Sequence, residues 1–246
     1  MVKSLIIGMG EIGKSLFNVL AEQYEVDCYD KEYSEEPEGP YEVMHICFPY
    51  SDEFSSYVQQ YKYKFNPSYI VIHSTVPIGS TRKCDADAIH SPVVGVHPNL
   101  TQSLKTFTKF LGGELASEIA DYFRRAGIKV YITNKPESTE LMKLQSTNLY
   151  ATLIEFYKET KLMCDMADIP YELWTLWNQN YNEGYEKLGY PEYKKPLLIP
   201  IMKKQGGHCT LPNLELLETN FTNFLKNLTR GKNPCEDCPL TKEGAR

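Results

Sequence analysis

The segment Gly8-Met9-Gly10-Glu11-Ile12-Gly13 limits what this chain can fold into more than any other feature. It follows an apolar run over residues 3–8 and opens a helical pattern, so the predicted order is strand, tight turn, helix. Gly8 permits the turn, Gly10 lets the backbone approach a pyrophosphate, and Gly13 lets the helix pack closely on the strand. The first helical turn, with Glu11 and Ile12, offers unpaired N–H groups and a positive dipole end to phosphates. A second predicted strand, Tyr24–Tyr29, leads into Asp30, 17 residues after Gly13. A carboxylate at that distance accepts hydrogen bonds from ribose hydroxyls and repels a 2′-phosphate. The prediction is a Rossmann-type dinucleotide site that takes NAD rather than NADP, with Lys31 counting in the other direction. A glycine-rich turn without a ligand is the alternative, and the matching context opposes it.

Further strands are predicted at 43–48, 69–73, 93–96 and 128–132, with helices such as 51–63 and 114–126 between them. Strands alternating with helices imply a parallel sheet covered on both faces. The pattern changes near Lys135-Pro136. A long helix is predicted from about Thr139 to Ala167, capped by Ser138 or Thr139, with two more at about 171–188 and 214–229. The expected organisation is an α/β Rossmann-type parallel-sheet domain at 1–135, an all-helical domain at 136–232, and a tail at 233–246.

Bulk properties exclude several classes. The net charge of −6, without a Lys/Arg run, argues against a nucleic-acid surface. No apolar stretch approaches the ~20 residues of a membrane span, and the N-terminal run is too short for a signal peptide. Seven scattered cysteines read as reduced thiols of a cytoplasmic protein rather than a disulfide framework. Cys235-Glu236-Asp237-Cys238 has the spacing of half a zinc site with no second pair nearby, so no metal is expected.

Three later segments narrow the reading. His73-Ser74-Thr75-Val76-Pro77-Ile78-Gly79, Thr139-Glu140-Leu141-Met142-Lys143 and Gly206-Gly207-His208-Cys209 occur in an order that resembles the UDP-glucose/UDP-N-acetylmannosamine dehydrogenase family, within the 6-phosphogluconate dehydrogenase-like superfamily. Ile46-Cys47-Phe48-Pro49 matches the strand end that faces the nicotinamide in that family. The resemblance covers about residues 1–217. It implies a homodimer built on the long helix, and oxidation of a primary alcohol in two steps through a cysteine thiohemiacetal. Cys209 would be the nucleophile, Lys143 the charge stabiliser, Asn148 its polar partner, and Thr75 the residue that positions substrate or water beside the nicotinamide. With Pro49 and Thr75, the cofactor site would comprise Gly8, Gly10, Glu11, Ile12, Gly13 and Asp30. The expected partners are NAD and a small-molecule alcohol or sugar.

The sequence departs from the family in four places. Thr147 stands where the family has asparagine, with Asn148 about 100° further round the helix. Val93 replaces the acid after Ser-Pro, and Asn213 replaces an aspartate. The chain ends 37 residues after Cys209, fewer than the family's C-terminal nucleotide-gripping domain requires. Two readings therefore stand beside the first: a two-electron hydroxy-acid dehydrogenase of the same superfamily, and a non-catalytic dinucleotide-binding protein. His97 in Gly-Val-His-Pro-Asn is faintly similar to a segment of prephenate dehydrogenases. Tyr171, Trp174, Trp177, Tyr181 and Tyr185 form a helical stripe expected to pack on the long helix or on a second subunit.

Overall fold

Strand β1 (Lys3–Ile7) shows why the N-terminal half folds as it does. Leu5 and Ile7 belong to one buried cluster and Ile6 to another, because alternate side chains leave opposite faces of a strand. A strand apolar on both faces has to lie inside a sheet with helices above and below. The computed structural model describes residues 2–33, 36–96, 98–200 and 210–229. The chain forms two compact units, Met1–Leu144 and Gln145–Arg246.

The first unit contains a seven-stranded sheet in the order β2-β1-β3-β4-β5-β6-β7. Its strands are β1, β2 (Glu25–Tyr29), β3 (Val43–Ile46), β4 (Tyr69–Ile72), β5 (Ile89–His90), β6 (Lys109–Gly112) and β7 (Val130–Thr133). Every neighbouring pair is parallel except β5 with β6, where His90 pairs with Gly112. Helix α1 (Glu11–Leu20) buries Gly13, Leu16, Val19 and Leu20 on one face, the spacing of an amphipathic helix. It packs into the same core as α4 (Leu100–Thr106) and α5 (Ala120–Arg125). The opposite face carries α2 (Phe54–Phe65), which ends at Asn66 in a left-handed cap. This is the expected Rossmann-type architecture.

The local differences have physical causes. The strand predicted at 93–96 is absent: β5 ends at His90, and Pro92 follows without an N–H to donate to a ladder. Val94 and Val96 are exposed, so their apolar character reports no core position. Strand β6 has no counterpart among the predicted strands because its buried first residue is Lys109. Helix α6 (Pro136–Met166) starts three residues earlier than predicted, with proline in the first turn, where its missing N–H costs nothing.

The second unit is helical. It contains the later turns of α6, then α7 (Tyr171–Lys187), α8 (Thr210–Glu215) and α9 (Asn220–Thr229). Asp168, at a φ of 54°, turns the chain between α6 and α7. Trp174 of α7 lies against Phe156 of α6, with ring centroids 6.3 Å apart, so part of the aromatic stripe packs on the long helix as expected. Trp177 is exposed, and the rings of Tyr181 and Tyr185 meet at a tilt, with centroids 4.7 Å apart. Among the described residues, no helix is long and apolar enough to cross a membrane.

Candidate functional site

The three glycines of the first turn are glycines for different reasons. Gly8 sits at a φ of +93°, its N–H donates to the Tyr29 carbonyl at 2.9 Å, and a Cβ there would lie 2.8 Å from the Phe48 nitrogen. A Cβ on Gly13 would lie 2.0 Å from the Gly8 carbonyl oxygen. Both positions are closed by the protein itself. Gly10 is not. Its φ of −71° and ψ of −162° suit any residue, and nothing lies within 4 Å of where a Cβ would be. The fold makes no demand for glycine at this position. A ligand that approaches the backbone closely would supply one.

Two further observations fit a dinucleotide. The N-terminus of α1 has no side-chain cap, leaving the phosphate-binding end of the helix to a ligand. Asp30 accepts a hydrogen bond from the Met9 N–H through Oδ2 at 2.7 Å. That bond fixes the carboxylate against the glycine turn, at the carboxyl end of β2 where a ribose would sit. The residues present therefore fit NAD.

The ends of β3 and β4 form the next part of the site. Ser74 Oγ donates to the Phe48 carbonyl at 2.5 Å, which ties the segment entering Pro49 to the segment entering Thr75. Pro49 is exposed and Thr75 half-buried. Lys143, half-buried on α6, donates from Nζ to the Val93 carbonyl at 2.9 Å. Val93 lacks the carboxylate of the family resemblance, but its backbone oxygen holds the lysine. The structure thus brings Lys143 to the loop that follows β5.

Glu140, one turn before Lys143, is a site residue that the sequence does not single out. It is fully buried and accepts from the Gly79 N–H at 2.5 Å and the Thr81 N–H at 2.8 Å. These groups open the short helix α3 (Ser80–Cys84), so the carboxylate moors the Thr75–Thr81 loop to the lysine-bearing helix. A Glu three residues before a Lys reads on sequence alone as a solvated helical pair. Glu140→Ala should lower unfolding free energy in urea by at least about 2 kcal/mol, because two buried N–H groups lose a charged acceptor. Glu140→Gln, which keeps one acceptor oxygen, should recover part of that loss. Equal stability of all three proteins would remove the mooring role.

In the second unit, Asn148 is 1% exposed, yet neither Oδ1 nor Nδ2 has a hydrogen-bond partner among the described residues. Thr147, at the family's asparagine position, is approached by Asn213 Nδ2 at 3.4 Å. A buried amide without a partner is costly and rare. It marks Asn148 as a side chain with hydrogen-bonding capacity to spare. Cys209, with Gly206, Gly207 and His208, lies outside the described residues, as do His97, Cys235 and Cys238.

A buried polar chain crosses the first core. Ser4 Oγ and Tyr122 Oη are 2.8 Å apart, Tyr122 Oη and His45 Nε2 2.9 Å, and His45 Nδ1 and His73 Nε2 3.0 Å. His73 Nδ1 lies 2.9 Å from the Ser91 carbonyl and 3.1 Å from Lys109 Nζ, which also donates to that carbonyl at 3.0 Å. Burial pushes the Lys109 ammonium down to about 7 and His45 to about 3, and drives His73 well below the usual imidazole range. A second buried histidine site holds His90 between the Thr139 hydroxyl, 2.8 Å away, and the Ser74 carbonyl, 3.1 Å away.

No protein-family model matches the sequence, and no curated protein does. Solved structures match it in fold. A UDP-D-ManNAc dehydrogenase from Pyrococcus horikoshii superposes with a TM-score of 0.69 at 17% identity, covering 93% of this chain and 68% of that one. A UDP-glucose dehydrogenase from Pyrobaculum islandicum gives 0.69 at 14% identity, over 94% and 68%. The 3-hydroxyisobutyrate dehydrogenase of Mycobacterium tuberculosis gives 0.67 at 12% identity, over 94% of this chain and 93% of that one. At these identities the likeness concerns the fold. This chain has the Rossmann-plus-helical fold shared by nucleotide-sugar and hydroxyacid dehydrogenases.

Proposed function

We propose that this protein is an NAD-dependent oxidoreductase acting on a CH–OH donor. The observation that carries the reading is Gly10, a glycine with open space above it, between a helix N-terminus and a carboxylate held by the same turn. Bound there, NAD would supply the hydride acceptor. Gly8, Gly10, Gly13 and the first turn at Glu11 and Ile12 would hold its phosphates, and Asp30 its adenosine ribose. Pro49 and Thr75 would border its nicotinamide. Asp30 favours NAD over NADP, since a 2′-phosphate would meet its charge.

On the substrate side, Lys143 would bind the reacting oxygen and stabilise negative charge that develops on it. Asn148 would donate or accept a hydrogen bond with its amide, which has no partner among the described residues. Cys209 would attack a first-formed aldehyde as thiolate, giving a thiohemiacetal that a second oxidation converts to a thioester for hydrolysis. The substrate in this reading is a primary alcohol, including a sugar. The missing carboxylates at Val93 and Asn213 favour a second reading, a single oxidation of a small hydroxy acid that leaves Cys209 idle.

Counting NADH per substrate consumed separates the two. Two NADH per substrate, with faster alkylation of Cys209 by iodoacetamide than of Cys28 or Cys164, supports the covalent route. In that case Cys209→Ser should abolish acid formation. One NADH per substrate and a fully active Cys209→Ser would establish the single oxidation. Cofactor binding without turnover of any alcohol would leave only a non-catalytic binding role.

A homodimer on the long helix is part of the same proposal. Leu149, Phe156 and Met163 of α6 are 62%, 54% and 53% exposed, and Leu173, Leu176 and Trp177 of α7 are exposed as well. So many large apolar side chains on two consecutive helices call for a cover. Light scattering at micromolar concentration should give twice the monomer mass of 28.3 kDa. A monomer would overturn this assembly.

A further inference from the structure

Among the described residues no carboxylate lies against the buried amine of Lys109, at the end of the sheet where a dinucleotide would bind. Strand β6 runs antiparallel to β5, and His90 pairs with Gly112. Lys109, three residues before Gly112, therefore lies at the carboxyl ends of β3, β4 and β5, and its Nζ donates to the Ser91 carbonyl just beyond β5. That edge of an open α/β sheet is where such folds take their ligands. The titratable groups that face the amine are His45 and Cys47 from β3 and its end, His73 from the end of β4, His90 from β5, Tyr122 from α5 and Lys143 from α6. None of these is a carboxylate. The Phe123 ring, 5.6 Å from Nζ, is its only other close electrostatic partner among the described residues.

The chain leading away from Lys109 can be satisfied in two directions. In one, Lys109 donates to His73 Nδ1, His73 Nε2–H to His45 Nδ1, His45 Nε2–H to Tyr122 Oη, and Tyr122 O–H to Ser4 Oγ. In the other every bond reverses: Ser4 O–H donates to Tyr122, Tyr122 to His45, His45 to His73, and His73 Nδ1–H to the Ser91 carbonyl. In the first pattern the His73 Nδ1 and Ser91 carbonyl acceptors, 2.9 Å apart, share the Lys109 amine as donor; in the second His73 itself donates to the carbonyl. A chain that accepts either polarity can pass a proton along its length. The chain ends inside the core, at Ser4 and Tyr122.

We propose that Lys109 is a proton-linked sensor of the cofactor's redox state, hydrogen-bonded to the His73–His45–Tyr122 chain. The inference rests on the reading of the site as an NAD site. Oxidised nicotinamide carries a positive charge at the same edge of the sheet and holds the amine neutral; reduced nicotinamide carries none and lets it take up a proton. In that step the Lys109 lone pair takes up one proton from solvent and forms the new N–H bond. No electrons are exchanged. Because burial has already brought the amine to titrate at about 7, the cofactor's charge acts on a group poised near neutrality.

Calorimetric titration of the full chain at pH 7, in phosphate and in Tris, reads the protons exchanged on binding. NAD+ should release up to about half a proton, and NADH, which brings no nicotinamide charge, should exchange close to none. The NAD+/NADH affinity ratio should fall by up to about tenfold per pH unit below the Lys109 titration point. Lys109→Met should make the two proton counts equal. Equal counts in the parent protein, or an unchanged difference in Lys109→Met, would overturn the proposal while leaving the cofactor reading intact. Binding of neither nucleotide would overturn that reading and the proposal with it. If Lys109→Met does not fold, lysine Cε resonances of the 13C-labelled parent decide the same question. One should titrate near pH 7, moving down with NAD+ and staying in place with NADH; a resonance indifferent to NAD+, or none titrating below pH 9, counts against it.

Discussion

Gly10→Ala should fold like the parent protein and fail to bind NAD, whereas Gly13→Ala should fail to fold. Both substitutions add one methyl group to the same helical entrance, three residues apart. At position 13 that carbon would stand 2.0 Å from the Gly8 carbonyl oxygen, a backbone atom already held by the turn. Relief requires separating α1 from β1, on which Leu16, Val19 and Leu20 depend for burial. The cost exceeds the roughly 1–3 kcal/mol of ordinary overpacking, because the opposing atom is main chain. At position 10 the carbon enters open space at an unstrained φ, and stability should change by about 1 kcal/mol or less, as for an Ala at a helix N-cap. A pyrophosphate that needs this space would lose its approach. NAD affinity should drop at least about a hundredfold, or ~2.7 kcal/mol. Circular dichroism and calorimetry on the two variants test the pair together. NAD binding by Gly10→Ala at parental affinity would refute the phosphate role of the turn. In the parent protein, NADP binding tighter than NAD by more than about tenfold, ~1.4 kcal/mol, would refute the role given to Asp30.

The contrast between these glycines also shows what is legible in the sequence. The spacing of Gly8, Gly10, Gly13 and Asp30 encodes a strand, a turn and a helix in a few residues, because Gly8 and Gly13 answer local steric demands. Strand β1 and helix α1 follow from short-range patterns of the same kind. Strand β6 does not. Its first inward residue is a lysine, and what makes a lysine tolerable there is a carbonyl from Ser91 and an imidazole from His73, residues distant in sequence. The strand expected at 93–96 fails for the opposite reason: its valines are apolar but exposed. In the site, Lys143 is legible from its place in Thr139-Glu140-Leu141-Met142-Lys143. Its tether to Val93 is not, because a backbone oxygen leaves no mark on side-chain identity. Glu140 is visible only as a charge, and the two N–H groups that it satisfies lie about 60 residues earlier in the chain.

Mild acid should unfold this protein well before its carboxylates begin to titrate. His45, His73 and His90 are 0%, 1% and 0% exposed, and each is held by partners that leave it neutral. Burial lowers His45 and His90 to about 3 and puts His73 well below 6.5 in the folded state. In the unfolded chain all three titrate near 6.5. Between pH 6.5 and 3 the unfolded state therefore binds more protons than the folded one, so stability rises with pH and falls on acidification. Each histidine contributes up to about 1.4 kcal/mol per pH unit in that window, which sets a ceiling of roughly 4 kcal/mol per unit for the three. Going from pH 6.5 to pH 5 could then remove about as much as the 5–15 kcal/mol that holds a typical domain together. Lys109 does not add to this slope. Its folded and unfolded values, about 7 and 10.5, bracket a higher window, where the same reasoning makes stability rise with pH. Carboxylates contribute little above about pH 5 and Lys109 little below about pH 6, so urea denaturation between pH 6 and pH 5 isolates the imidazoles. His45→Gln should reduce the slope by about a third even if it lowers stability throughout, because the slope counts protons and not packing. A stability constant from pH 6 to 5, or a slope that His45→Gln leaves untouched, would mean that the buried histidines are not held neutral against the solvent.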